Sequence, residues 1–243
     1  MNAISKMNDT MKTIRTLAWL LGIGLVMALS PAKANVVTDN FDRGNDFTPG
    51  FQYLGTSWAN QTGLFSLVSN KAVNQVASSA AAATAYAGVN VGTQPFAVQA
   101  AVSTTYSTEW VGLAFKIQDT SNYYAVRWEQ TGGYYQVLKV VGGVLNSFQD
   151  GNSAYATGTV MKIDYTGANA YTLTFGAGTP IGFSGGVSPY TAGGVGLFYS
   201  NGIGGGTVTF DNFSATYAVP EPAALSLLGL GALGFLGRGR HRG

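Results

Sequence analysis

The sequence predicts an all-β fold, an antiparallel β-sandwich of about a dozen strands, and three observations predict it. Short alternating runs recur from Pro95 onward, most clearly where Val111, Leu113, Phe115 and Ile117 fall on one face and Trp110, Gly112, Ala114 and Lys116 on the other. Clusters of Gly, Asn, Asp and Ser separate these runs at hairpin spacing. Between Asn35 and Ala218 no stretch reads as a helix of consequence, and strands at this spacing suit a sandwich.

Each element follows in order. Val36 to Phe41 reads as a first strand. Gly63 to Val68 and Lys71 to Val76 pair about Ser69-Asn70, and Ser78 to Ala87, an alanine run with no charged face, reads as strand and small-residue loop. Phe96 to Tyr106 alternates. The turn cluster Asp119-Thr120-Ser121-Asn122 closes a hairpin that opposes Ile117 with Tyr124, Phe115 with Val126 and Leu113 with Trp128, so two apolar sets share a face. A turn at Thr131-Gly132-Gly133 then sets Val126 against Leu138 and Tyr124 against Val140. Gly142-Gly143 leads into Val144 to Phe148. Met161, Ile163 and Tyr165 alternate, as do Tyr171, Leu173 and Phe175 after Gly167. Gly176 to Gly193 reads as a loose loop, and Gly194 to Tyr199 and Thr207 to Tyr217 close the domain.

Composition removes whole classes of function. The chain has no cysteine, and its one histidine, His241, lies near the C-terminus. The body therefore has no His/Cys zinc site and no histidine for a Ser-His-Asp or Cys-His triad. HExxH and Walker P-loop motifs are absent. Between Asn35 and Ala218 lie six basic and nine acidic residues, a net charge of −3, so the basic balance of the whole chain belongs to its two ends. No basic patch for nucleic acid is visible.

Both ends carry signals. Lys12 and Arg15 precede an apolar run from Leu17 to Leu29, and Ala32-Lys33-Ala34 supplies a small-x-small cleavage pattern, so residues 1–34 read as a signal peptide with a signal helix and a mature start near Asn35. At the other end, Pro220 and Pro222 stop a strand. From Ala223 to Leu236 every residue is apolar, Gly or Ser; as a helix this run spans roughly 21 Å against the ~30 Å hydrocarbon core. Flanking arginines let it serve as a transmembrane helix, because Arg238, Arg240 and Arg242 can snorkel to cytoplasmic headgroups. Val219-Pro220-Glu221-Pro222, the Leu/Gly/Ala-rich run and the arginine cluster together resemble the PEP-CTERM sorting signal of exopolysaccharide-producing Gram-negative bacteria. The resemblance covers 219–243. It implies a protein exported by the secretion machinery, held transiently in the inner membrane and cut by an exosortase near Pro220, Glu221 and Pro222, then released to the cell surface or beyond.

A second resemblance spans 35–218. The stretches VGLAFKIQDTSNYYAVRWEQTGGYYQVLKVVGG, VMKIDYTGANAYTLTFGAG, GGVGLFYSN and VTFDNFSA resemble, in order and spacing, a concanavalin A-like lectin/glucanase (LamG-like) jelly roll. Glucanases on that fold carry an E-x-D-x-x-E strand whose acids face the cleft. No such triplet occurs here: Glu129 stands alone in Trp128-Glu129-Gln130, and Glu109 lacks a partner two residues away. Glu109, Asp119, Glu129, Asp150 and Asp164 are expected mostly at turns or solvent faces. No catalytic residue is assigned.

Two candidate sites follow. In the register above, Trp110, Arg127, Glu129 and Tyr135 line the outer face of the sheet beside Gly112 and Ala114. Aromatic rings beside hydrogen-bonding charges suit sugar rings, and the same residues also suit a plain strand-pairing surface. Asp39, Asp42 and Asp211 form the second: neighbouring first and last strands would offer calcium their oxygens, although Asp residues also cap turns for local reasons. The expected function is an exported, exosortase-processed surface or matrix protein that binds polysaccharide, the host's exopolysaccharide above all, without catalysis. A purely structural matrix or adhesion role and a carbohydrate-active hydrolase are the alternatives.

Overall fold

The computed structural model describes residues 33–44, 58–62, 65–74, 82–105, 109–186, 189–200 and 206–219. The expected signal and transmembrane helices lie outside these residues, as do Pro220, Glu221, Pro222, Arg238, Arg240 and Arg242. Among the described residues no helix is long and apolar enough to cross a membrane. The strands belong to one compact unit, Ala34–Ala218.

Among the described residues fifteen strands form two sheets, a few more than the dozen expected. Sheet A runs β13(Ile181–Ser184), β12(Ala170–Phe175), β11(Thr159–Gly167), β6(Phe96–Thr104), β15(Val208–Val219), β4(Lys71–Asn74), β3(Phe65–Val68), and β1(Lys33–Asp39) also pairs with β15. Sheet B runs β10(Val144–Asn152), β9(Tyr134–Val141), β8(Asn122–Glu129), β7(Trp110–Asp119), β14(Gly194–Ser200), β5(Ala82–Asn90), β2(Ala59–Thr62). Every recorded pairing between successive neighbours is antiparallel.

Local chemistry explains several elements. Ser69 and Asn70 both take positive φ, 50° and 60°, the geometry a two-residue hairpin needs to match strand twist. Asp119 receives Ser121 N and Asn122 Nδ2, which closes the next turn and lowers its carboxyl pKa. β6 alternates without a break between buried and half-buried residues, as a strand with one face on a core must. The core between the sheets gathers Val98, Val102, Leu113, Phe115, Val126, Trp128, Ile163, Leu173, Leu197 and Phe210, all fully buried. The loop expected from Gly176 to Gly193 contains β13, whose Phe183 stacks on Tyr171 at 5.1 Å.

Two registers differ from expectation. Phe115 pairs with Tyr124, Leu113 with Val126 and Val111 with Trp128, two residues off the predicted pairing, because β7 bulges before Asp119. The even shift keeps the same faces together. Lys116, at φ 49°, sits in that bulge and turns inward, fully buried, instead of facing solvent. β8 and β9 are one residue off: Val126 pairs with Val137 and Tyr124 with Lys139. A one-residue slip exchanges faces. Leu138 and Val140 thus join Ala114, Ile117, Tyr123, Ala125 and Phe198 in a second buried cluster, while Tyr135 points into the main core.

Lys116 carries a measurable consequence. Its ammonium donates to Gly92 O at 2.9 Å and Thr191 O at 3.0 Å and lies 4.1 Å from the Tyr165 ring centroid. No acid faces it in these contacts, and burial pushes its pKa down to about 8. The unfolded chain therefore holds this proton to higher pH than the folded chain does. Below about pH 8 the buried charge costs up to about 3 kcal/mol, and the cost is relieved as pH rises toward 10. In urea melts the wild type should gain stability from pH 8 to 10 relative to Lys116→Met; parallel pH profiles would contradict this.

Candidate functional site

The outer face of sheet B divides into polar and apolar rows. Across the strands, Phe198, Gly112, Arg127, Gln136 and Asp150 lie in register, and next to them Ser200 pairs with Trp110 and Trp110 with Glu129. One step toward the other end of the strands, Gly196, Ala114, Ala125, Leu138 and Ser147 form a small and apolar row. Among the described side chains of these rows, the charged groups thus gather at the end of the sheet where β7 begins.

Arg127 organises that end. Its Nε and Nη2 both donate to Gln136 Oε1, Nε at 2.8 Å, and its Nη1 donates to Ser200 Oγ at 3.1 Å. The guanidinium carbon lies 4.1 Å from the Trp110 ring centroid, and Tyr134 meets Trp110 edge-on at 6.0 Å. Burial lowers the Arg127 pKa, and the charge of Glu129 and the proximity of Tyr134 oppose that shift. Tyr134 donates its hydroxyl to Asp150 Oδ2 at 2.7 Å, the chief reason its own pKa is raised. Close backbone approach makes the arrangement possible: a Cβ on Gly112 would lie 1.8 Å from Val126 O. The result is a half-buried Trp, Arg, Glu, Tyr and Gln set held by strands on both sides.

Of the predicted sugar-binding residues, Trp110, Arg127 and Glu129 therefore share one face. Tyr135 does not. It is 5% exposed, packs 5.7 Å from Phe175 and covers Gly151 on the core side. Its neighbour Tyr134 takes the outer position, as the slipped register requires. Sequence reasoning does not reach Gln136, Ser200 or Asp150 as site residues, because only cross-strand register brings Gln136 and Ser200 to Arg127 and Asp150 to Tyr134.

The three predicted calcium ligands do not converge. Asp39 Oδ1 accepts Phe41 N at 2.8 Å and Arg43 Nη1 at 2.8 Å; Oδ2 accepts Arg43 Nη2 at 2.9 Å and Trp58 Nε1 at 2.6 Å. Both oxygens serve as a lock for the first strand, with Trp58 packed edge-on against Phe213 at 4.8 Å. Asp211 receives the adjacent Asn212 N, and the Asp42 backbone N–H is taken by Asn40. Among the described residues no group of three His, Cys, Asp or Glu side chains is placed to hold a metal ion. Asp39→Ala should cost about 2–4 kcal/mol, since it strands the Trp58 and Phe41 donors, and urea midpoints of wild type and variant check it.

Glu109 differs from expectation as well. It is fully buried, with Oε1 accepting Gly206 N at 3.0 Å and Oε2 without a hydrogen-bond partner among the described residues. It lies directly before the first residue of β7, and polarity alone predicts an exposed position there.

Residues 218–241 match the PEP-CTERM protein-sorting motif. Among curated proteins none matches this chain in sequence. The fold is similar to the carbohydrate-binding module CBM66 from Bacillus subtilis, with TM-score 0.54 and 14% identity over 65% of this chain and 95% of the module. It is also similar to peanut lectin, with TM-score 0.53 and 9% identity over 79% of this chain and 100% of the lectin. The GH43 protein BlXynB from Bacillus licheniformis has TM-score 0.51 and 13% identity over 75% of this chain, which covers only 39% of that enzyme. At such identities the likeness is one of fold, a lectin-like jelly roll.

Proposed function

We propose that this is an exported, exosortase-processed surface or extracellular matrix protein whose sandwich binds polysaccharide without catalysis. The organisation is a signal peptide over 1–34, a sandwich over 35–218 and a sorting signal over 219–243. The signal peptide takes the chain to the secretion machinery, the tail holds it in the inner membrane, and cleavage near Pro220-Glu221-Pro222 releases it. The PEP-CTERM motif supports this route.

One observation carries the binding reading: Arg127 is fixed at once by Gln136, Ser200 and the Trp110 ring on the outer face of the sheet. A sugar presents C–H faces and hydroxyls, so an aromatic surface beside pre-positioned donors and acceptors recognises it, and prior fixing reduces the ordering cost of binding. Glu129, Tyr134 and Asp150 complete a rim of acceptors and a second ring. The fold neighbours that bind carbohydrate support the same reading.

The test is retention of the exported protein on the host's exopolysaccharide. Wild type should be retained and Trp110→Ala released. Equal retention of both would remove this face as the site, and no retention of either would favour a purely structural matrix role.

A further inference from the structure

We infer that, while the tail is attached, the end of the sandwich from which the chain leaves rests on the membrane surface, with the β9–β10 hairpin tip dipping into the lipid interface. This rests on the reading of the tail as a membrane anchor.

The contacts set the levels within the sandwich. Ala218, the last residue of the compact unit, donates its N–H to Pro95 O, and Tyr217 pairs with Phe96. Phe96 lies 6.4 Å from Phe115 across the core, Phe115 pairs with Tyr124, and Tyr124 with Lys139. Lys139 in turn pairs with Asn146. Ala218 and the hairpin segment beyond Lys139 therefore project from the same end. That segment is Val140 to Leu145, with Gly142 N held by Asn122 and Gly143 N by Ser121.

Its surface is unlike that of a solvated turn. Val141 is 47% exposed, Val144 62% and Leu145 38%, three of the six large apolar side chains exposed among the described residues. The segment from Val140 to Leu145 contains no charged residue.

The tether is short. Only Val219 to Pro222 separate Ala218 from the apolar run that starts at Ala223, and four extended residues reach about 13 Å. Two of them are proline, which stiffens the link. A tail that spans the bilayer must then hold this end of the sandwich at the headgroups. Three aliphatic side chains would bind lipid weakly alone; the tether supplies the effective concentration that makes the contact persistent. The Trp110–Arg127 end lies at the other end of the strands, roughly 27 Å away for a nine-residue strand such as β6, and so faces outward.

The absence of cysteine makes the test direct. The chain from Asn35 to its C-terminus, sorting signal included, is reconstituted in phosphatidylethanolamine/phosphatidylglycerol vesicles with an environment-sensitive fluorophore on Val144→Cys or on Asn152→Cys, at opposite ends of β10. Flotation with the vesicles reads the anchor; emission and quenching by spin-labelled lipid read the contact. The inference expects blue-shifted emission and several-fold stronger quenching at 144 than at 152. Equal quenching, or stronger quenching at 152, in a chain that floats overturns the inference and leaves the anchor standing. A chain that does not float overturns the anchor reading and the inference with it.

Discussion

Gly112→Ala should prevent the sandwich from folding. The new methyl would lie 1.8 Å from Val126 O, 2.8 Å from Val126 C and 3.0 Å from the Arg127 Cα. These are backbone atoms of the paired strand, so no side-chain rotation relieves the clash. β7 is central in its sheet, bounded by β8 and β14, and moving it would break both ladders and the packing of Leu113 and Phe115. The expected cost is about 4 kcal/mol or more, enough to unfold an ordinary domain. Gly142→Ala is the contrast. Its φ of 58° penalises a side chain, but nothing lies within 4 Å, so about 1 kcal/mol is expected. Far-UV circular dichroism and limited proteolysis of the two variants separate these outcomes. A folded Gly112→Ala protein would mean that β7 and β8 are not as close as described.

Arg127→Ala should weaken polysaccharide binding roughly 100-fold while leaving a folded protein. Among the described residues the side chain supplies the only cation on the polar rows, and it holds Gln136, Ser200 and Trp110 in place together. Its removal deletes a charged donor and releases the neighbours it orders, about 3 kcal/mol of binding or roughly a 100-fold weaker affinity. Arg127→Lys keeps the charge but not the fork that engages Gln136 and Ser200, so it should recover only part of the loss. Lys162→Ala, which removes a surface pair with Asp164 on the other sheet, should leave binding unchanged. Quantitative pull-down on the host polysaccharide checks the series, and wild-type affinity in Arg127→Ala would exclude this face.

How much of this was legible in the sequence depended on which faces each strand buries. β6, β11 and β12 bury one face, alternate cleanly and were readable. So were the turns at Ser69-Asn70 and Gly142-Gly143, whose residue types match their positive φ. β9 was not readable in register. Tyr135 and Val137 are buried on one face and Leu138 and Val140 on the other, so no alternation chooses between them, and the glycine turn before β9 allows either closure. That ambiguity put Tyr135 in the site in place of Tyr134. The bulge at Lys116 left no local signature, since a lysine in a strand normally marks solvent. Asp39 looked like a cation ligand because its partners are distant in meaning: Arg43 is four residues away, but Trp58 is nineteen, and only the fold brings the indole N–H to the carboxylate.

The central claim is that sugar contacts the Trp110–Arg127 face, and tryptophan emission during titration with the host's exopolysaccharide tests it most directly. Of the tryptophans in the sandwich, Trp58 is 7% exposed and Trp128 fully buried, while Trp110 is half-buried on the outer face, so emission changes on binding report on Trp110. The account predicts a saturable change that disappears in Trp110→Phe. Binding that leaves the emission unchanged, or a change that survives in Trp110→Phe, would contradict it.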